Sequence, residues 1–219
     1  MKKLITIVVL CLLCGCLAGC SNDEPTCGGV GPPESLWFYS LDDLRACYDV
    51  LDQDDETVYA FLEEKGLTAC AEGISNKAEL QELLTELEGY KIPCPMDDSL
   101  YRIKHLYYTP RSSTFTVRYY NQGHPNFEAK ADCRKYDPQW QPPQFAANEV
   151  VSTLLLCGKK IALKEDSTST SDPLYGYYAD EQAQFRFEVD AEPNGGYDTS
   201  LSIDKFILTD LRTLLFGEE

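Results

Sequence analysis

The sequence predicts an α+β protein in which helices come first, the hairpins of an antiparallel sheet follow, and a helix closes the chain. Three observations predict this order. Apolar residues recur at helical spacing from residue 41 to residue 87, they alternate with polar residues in segments between 101 and 190, and helical spacing returns after residue 202. Helices grouped ahead of strands favour this class. We expect residues 36–219 to form a single domain, with the Pro-rich stretch 134–148 as the best candidate for an internal boundary.

Three helices are predicted in the first third of the chain. The first begins after Ser40, whose hydroxyl suits an N-cap ahead of an acidic turn. The second begins at Asp54 or Asp55 and ends at Gly66, and the third begins after Asn76. Their one-sided apolar faces consist of Leu41, Leu44, Tyr48 and Leu51, then Val58, Phe61 and Leu62, then Leu80, Leu83, Leu84 and Leu87.

The middle of the chain predicts strands. The two prolines in 92–95 stop further helix formation. Three strands are expected at 101–109, 114–120 and 126–133, and a long loop at 134–148. Two hairpins are expected next. The first joins strands 149–157 and 159–163 through a turn at Gly158, and the second joins strands 174–179 and 183–190. Phe185, Phe187 and Val189 are expected to face inward.

The tail predicts one more helix after a turn at 194–196. Its apolar residues recur at helical spacing behind Ser202, and they are Ile203, Phe206, Ile207, Leu211, Leu214 and Leu215.

The N-terminus has the layout of a signal peptide. Lys2 and Lys3 precede an apolar run, and small residues then lead to Cys20 in the stretch LAGC, 17–20. This stretch resembles the bacterial lipobox. The resemblance implies cleavage after Gly19 and attachment of lipid to Cys20. We therefore expect a signal peptide at 1–19 and, because 21–35 is polar and rich in Gly and Pro, a flexible tether at 20–35.

The alternative for this segment is a membrane-spanning anchor. The apolar stretch ends by Gly19 and is shorter than the about 20 residues that a spanning helix needs. Acidic and polar residues, without a basic flank, follow Cys20 directly. We therefore expect a protein that acyl chains tie to the bacterial cell membrane, facing outside the cytoplasm.

Residues 90–215 resemble a class of domains of unknown function. The resemblance rests on YKIP at 90–93, paired aromatic strands, CGKK at 157–160, YGYY at 175–178 and a closing amphipathic helix. Such domains occur in Firmicutes lipoproteins and in the extracytoplasmic parts of anti-sigma-factor-like membrane proteins. The chain departs from the pattern where Tyr178 stands in place of a tryptophan. The resemblance implies an α+β shape and a sensory or partner-binding role, and it carries over no catalytic residue.

The charge of the chain excludes one class of partner. Its 36 acidic and 19 basic residues give a net charge of −17, which repels nucleic acid. The acidic run 52–56 invites a calcium interpretation, but Thr57 stands where an EF-hand loop needs glycine. An acidic helix start explains the run better.

Six cysteines of the exported chain could form disulfides. Outside the signal segment and the lipid site they are Cys27, Cys47, Cys70, Cys94, Cys133 and Cys157. The even count in an exported chain predicts at least one disulfide, with all fifteen pairings open. None forms a Cys-x-x-Cys pair, which disfavours thioredoxin chemistry and zinc ribbons.

No catalytic motif stands out. His105 and His124 are the only histidines, and neither belongs to a ligand or nucleophile pattern. The chain has no Gly-x-Ser-x-Gly, no phosphate-binding glycine loop and no His-Glu-x-x-His. We therefore expect no catalytic residue, metal or cofactor, and a protein that is not an enzyme.

Aromatic residues cluster in the predicted sheet. Consecutive tyrosines place one ring on each face, so some rings are expected to be exposed. Trp140, in the long loop, and Tyr178 are the candidate binding residues for an envelope protein or glycan. The simpler explanation is cross-strand packing. The alternative function is a cell-envelope hydrolase with a dispersed site, for which a deep pocket with converging carboxylates, Cys or His would argue.

Overall fold

Four helices form in the computed structural model, which describes residues 34–96, 101–122, 128–168, 173–189 and 206–217. They are α1 (Leu41–Asp49), α2 (Asp55–Glu64), α3 (Lys77–Leu87) and α4 (Leu211–Phe216). The caps of the first three are as predicted, since Ser40, Asp54 and Asn76 each accept the backbone N–H three residues on, at 3.1, 2.8 and 3.0 Å. The predicted signal peptide and most of the tether lie outside the described residues, as does the turn at 194–196.

The described residues form ten antiparallel strands. Their bounds are β1 (Leu36–Phe38), β2 (Lys91–Pro95), β3 (Tyr101–Thr109), β4 (Thr114–Asn121), β5 (Glu128–Arg134), β6 (Val150–Leu156), β7 (Lys159–Glu165), β8 (Leu174–Ala179), β9 (Gln184–Val189) and β10 (Phe206–Asp210). The sequence predicts β3 to β9, but it does not predict β1, β2 and β10. Eight of them form one sheet in the order β1-β3-β4-β5-β9-β8-β7-β6. β2 and β10 form a separate pair.

The hairpins predicted from alternation are confirmed. β3 pairs with β4, β6 with β7 and β8 with β9. The β6–β7 turn has positive φ at both Cys157 (49°) and Gly158 (75°), the backbone of a tight hairpin turn. Gly176 allows β7 to cross β8 closely, because a Cβ there would lie 2.4 Å from the Ala162 carbonyl oxygen.

The predicted C-terminal helix is wrong over residues 206–210, while residues 203–205 lie outside the described part of the chain. Residues 206–210 form strand β10, and helix α4 begins only at Leu211. Phe206 packs its ring 5.1 Å from that of Tyr119, and Leu208, two residues on, also packs against the core. This two-residue repeat outweighs the helical spacing read from the sequence. The partner β2 accommodates its two prolines because each strand of a two-stranded pair is an edge.

The core lies on one face of the large sheet. Side chains of that face and of all four helices belong to one buried cluster with β2 and β10. Tyr119, fully buried, donates its hydroxyl proton to the Pro93 carbonyl, and Tyr90 donates to the Ser113 carbonyl at 2.7 Å. Phe185, Phe187 and Val189 face this core as predicted. The described residues belong to one compact unit, Pro33–Glu219.

None of the helices among the described residues combines the length and apolarity needed to cross a bilayer.

Candidate functional site

The face of the sheet opposite the core carries two polar and aromatic rows. Strand register places one residue of each strand directly beside the next. The first row, from β1 to β8, is Trp37, Tyr107, Thr116, Asp132, Arg186 and Tyr177. The second row, from β3 to β7, is His105, Arg118, Lys130, Glu188, Tyr175 and Lys164. We call this surface the outer face.

The predicted long loop has no helix or strand from residue 135 to residue 149, and it lies over part of the outer face. Trp140 places its ring edge-on to Tyr177, with centroids 6.2 Å apart. Phe145 lies edge-on to Tyr175 at 5.5 Å. Trp140 therefore has strand neighbours although it lies in the long loop.

Two polar contacts fasten the loop to the sheet. At its start, buried Gln184 donates to the Asp137 carbonyl and accepts the Asp137 N–H at 3.2 Å. At its end, Glu149 pairs with Lys164 and accepts the Ala146 N–H at 2.9 Å. The hydrogen bond from Lys164 and that from Ala146 hold the pKa of Glu149 below its usual range. The loop is thus attached at both ends.

A pocket of about 490 Å³ opens between the loop and the outer face. Aromatic rings, hydroxyls and charged groups line it. They are contributed by Tyr107, Thr109, Ser112, Thr114, Thr116, Lys130, Asp132, Arg134, Trp140, Pro143, Tyr177, Phe185 and Arg186. A second pocket of about 340 Å³ lies against β7 and shares Pro143 and Tyr177 with the first. The two therefore adjoin at Tyr177.

Most charges beside the pocket are paired. Lys130 Nζ lies 3.3 Å from Glu188 and 3.7 Å from Asp132, which also accepts a 2.8 Å hydrogen bond from Thr116. Arg186 contacts Asp166 at 2.7 Å and Glu188 at 3.1 Å. These pairs fix the side chains that form the floor.

Arg186 also connects the floor to the aromatic side of the outer face. Its guanidinium carbon lies 4.3 Å from the centroid of Tyr175. The hydrogen bond from Thr168, together with Arg186, holds the pKa of Asp166 below its usual range.

Of the two predicted binding residues, the structure places Trp140 at the pocket and Tyr178 in the core. Tyr178 is 2% exposed and stacks on Phe185 with centroids 4.6 Å apart. Its hydroxyl donates to Asp180 at 2.6 Å, and burial raises its pKa. The choice of Tyr178 is therefore corrected: Tyr177 is the member of the pair that faces outward, as strand alternation requires.

Among the described cysteines, Cys47, Cys70, Cys133 and Cys157 carry free thiols. Burial raises the pKa of Cys47 and of Cys157 to about 12, so their thiolates are scarce at neutral pH. Cys20 and Cys27 lie outside the described residues. The disulfide stays a prediction for the exported protein.

Other candidate groups stay apart from the pocket or from one another. His105 is buried, and its ring lies 5.3 Å from that of Trp37, while His124 lies outside the described residues. Among the residues the structure describes, no cluster of His, Cys, Asp and Glu is arranged to bind a metal. Asp132 is the one carboxylate among the described lining residues, which include no His or Cys.

Comparisons of the chain with family models, with curated proteins and with solved structures found no match. The geometry therefore defines the protein by class alone. It is a mixed helix-and-sheet protein whose large antiparallel sheet buries one face in the core and carries a loop-covered pocket on the other.

Proposed function

We propose that the protein is a lipid-anchored, extracytoplasmic binding module of the bacterial envelope, and that the pocket on the outer face binds a glycan. One observation carries the binding proposal. The rings of Trp140 and Tyr177 stand beside a polar sheet surface, within an open pocket large enough for a small ligand. The anchor rests on the lipobox resemblance at residues 17–20.

A glycan suits this lining better than a protein partner does. Sugar rings stack on aromatic side chains through their C–H faces and present many hydroxyls. Thr109, Ser112 and Thr114 supply hydroxyl oxygens that can accept hydrogen bonds from a sugar, while Ser112 and Thr114 donate theirs to backbone carbonyls at 3.4 and 3.2 Å. A stable protein interface instead buries roughly 800 Å² per partner around an apolar centre. The exposed large apolar side chains of the described residues, such as Met96 and Phe216, do not line the pocket.

Binding without hydrolysis fits the charges of the pocket. Glycoside hydrolysis ordinarily uses two carboxyl groups on either side of the scissile bond. Asp132 is the one carboxylate among the described lining residues. It already accepts a hydrogen bond from Thr116 and pairs with Lys130. No described group therefore favours the hydrolase alternative.

The binding proposal is tested with the full-length protein, purified from membranes in detergent, on an array of defined oligosaccharides. Trp140→Ala and Tyr177→Ala are each expected to weaken binding by about 2 kcal/mol or more, as anchors of this type do. Tyr59→Ala is the matched control, because Tyr59 is an exposed tyrosine on α2 outside the pocket. Equal loss in all three variants, or no binding by the wild type, contradicts the proposal.

The anchor is tested separately. Cys20→Ala is expected to abolish lipidation and to leave unprocessed precursor, since Cys20 is the residue that the lipobox resemblance assigns to the lipid. Metabolic labelling with a fatty-acid analogue measures this. Equal labelling of the variant and the wild type would remove the lipoprotein assignment and leave the binding proposal untouched.

A further inference from the structure

The pocket differs in charge from the rest of the molecule. The chain carries a net charge of −17, yet Lys130, Arg134 and Arg186 line the pocket against the single carboxylate of Asp132. Because Glu188 and Asp166 also lie against Lys130 and Arg186, three carboxylates face the three cations, and the site is close to neutral. It therefore repels an anionic group less than the remaining acidic surface does. The lining therefore bears on which ligand enters.

The three cations are not equivalent. Lys130 is held by Glu188 and Asp132, and Arg186 by Asp166 and Glu188. Arg134, at the end of β5, is exposed and makes no side-chain hydrogen bond or ion pair within the described part of the chain. Its backbone pairs with Thr114 and Gln184, which places the side chain beside the loop's attachment point. Arg134 is thus the lining cation with bonding capacity to spare.

We propose that the ligand is an acidic sugar whose carboxylate pairs with Arg134 while its ring stacks on Trp140 or Tyr177. This inference rests on the proposed glycan function and names its ligand class. A guanidinium presents two parallel N–H donors that match the two oxygens of a carboxylate. Thr114 pairs directly with Arg134 across β4 and β5, so its hydroxyl oxygen, which donates to the Ser112 carbonyl at 3.2 Å and can still accept, lies next to the charged group.

The charges around the site favour a carboxylate over a phosphate. A phosphate monoester carries close to two negative charges at neutral pH. Asp132 lies two residues from Arg134 on the same strand. Glu188 pairs with Lys130, which lies on that strand too. The single unpaired arginine can compensate one negative charge of a ligand. A second negative charge on the ligand would remain unpaired near these carboxylates.

The test compares matched ligands that differ only in charge. The probes are trisaccharides ending in a hexuronic acid or in muramic acid, each alongside its carboxyl-reduced counterpart. Wild-type full-length protein is expected to bind at least one acid about 10- to 100-fold more tightly than its reduced form, as hydrogen bonds to charged groups allow. Raising the salt concentration should reduce the difference in affinity between the acid and its reduced form.

Arg134→Gln is expected to remove this preference, so that the acid and its reduced counterpart bind with similar affinity. Arg111→Gln is the matched control. Arg111 is an exposed arginine next to the lining residue Ser112, but Arg111 pairs with Glu34 and Glu72 outside the pocket. Circular dichroism checks that both variants are folded.

Each outcome decides one point. Loss of preference in Arg134→Gln alone supports the assignment. Equal binding of acid and reduced sugar by the wild type, or an unchanged preference in Arg134→Gln, overturns the acidic ligand and leaves the glycan proposal standing. Tighter binding of phosphorylated sugars in a parallel series overturns the choice of carboxylate. Absence of binding to either member of every pair overturns the glycan proposal itself.

Discussion

The two faces of the large sheet come from the same strands and have opposite character. On β8, Tyr178 is buried and stacked on Phe185, while its neighbour Tyr177 lines the pocket beside Trp140. On β9, buried Phe187 alternates with Arg186, which stacks over Tyr175 on the outer face. Alternate positions of each strand thus specify the core and the site, with even positions of β8 and odd positions of β9 facing the core.

The difference between the faces is also one of energetics. The inner face is held by apolar burial, which contributes about 25 cal/mol for each Å² removed from water. The outer face is held by partly exposed ion pairs such as Lys130–Glu188, and exposed pairs of this kind contribute roughly 0–1 kcal/mol each. Changes to the outer face should therefore affect binding more than folding, and changes to the inner face the reverse.

The largest expected effect comes from truncating the buried member of the tyrosine pair. Tyr178→Ala is expected to lower the free energy of unfolding by about 3–5 kcal/mol, because it opens a cavity beside Phe185. It also removes the hydroxyl that donates to Asp180. Tyr177→Ala is the matched control and should cost about 1 kcal/mol. Urea titration measures both, and similar losses in the two variants would break the distinction between the faces.

A smaller effect is expected from one buried hydroxyl. Tyr119→Phe removes the donor to the Pro93 carbonyl that connects the sheet to β2, and is expected to cost about 1–3 kcal/mol. Tyr120 is the next residue and lies on the outer face, so Tyr120→Phe should change the free energy of unfolding by no more than about 0.5 kcal/mol. Unfolding by urea, followed by tyrosine fluorescence and circular dichroism, compares them. Equal cost at both positions would show that β2 is not held through Tyr119.

Much of the fold could be predicted from the sequence because local signals and tertiary context agree there. Caps at Ser40, Asp54 and Asn76, and alternation along β8 and β9, are local patterns that the structure follows. β10 could not be found, because Ile203, Ile207 and Leu211 recur every four residues, which fits helical spacing. Its pairing with β2 depends on a contact between segments more than 100 residues apart.

The site was only partly predictable for the same reason. Trp140 was identified from its loop, and the outward member of the Tyr177–Tyr178 pair follows once Phe185 and Phe187 are assigned to the core. Asp132 and Arg134 carry no local signal, because their proximity to Trp140 depends on the order of the strands and on where the loop is fastened. A sequence without repeats or known motifs gives no such information.

The last comparison concerns pH. Groups in the core have their pKa values raised by burial, as in Cys47, whose pKa rises from 9.0 to about 12. The outer-face Asp166 has its pKa lowered, first by the hydrogen bond from Thr168. Stability linked to Cys47 is therefore complete below about pH 9 and is lost as the pH rises toward 12, whereas stability linked to Asp166 is lost as the pH falls below 3.8.

This asymmetry predicts a small alkaline effect that a single substitution removes. One group titrating in this way weakens folding by up to about 1.4 kcal/mol per pH unit, so Cys47 should account for about 1 kcal/mol between pH 8 and pH 10. In reduced protein, Cys47→Ala is expected to shrink the drop in unfolding free energy over that interval by this amount. Val58→Ala, which shortens a buried side chain that cannot ionise, should lower stability equally at both pH values. If the two variants show the same pH dependence as the wild type, the Cys47 thiol is not kept neutral by burial, and the contrast between the faces does not extend to their titration.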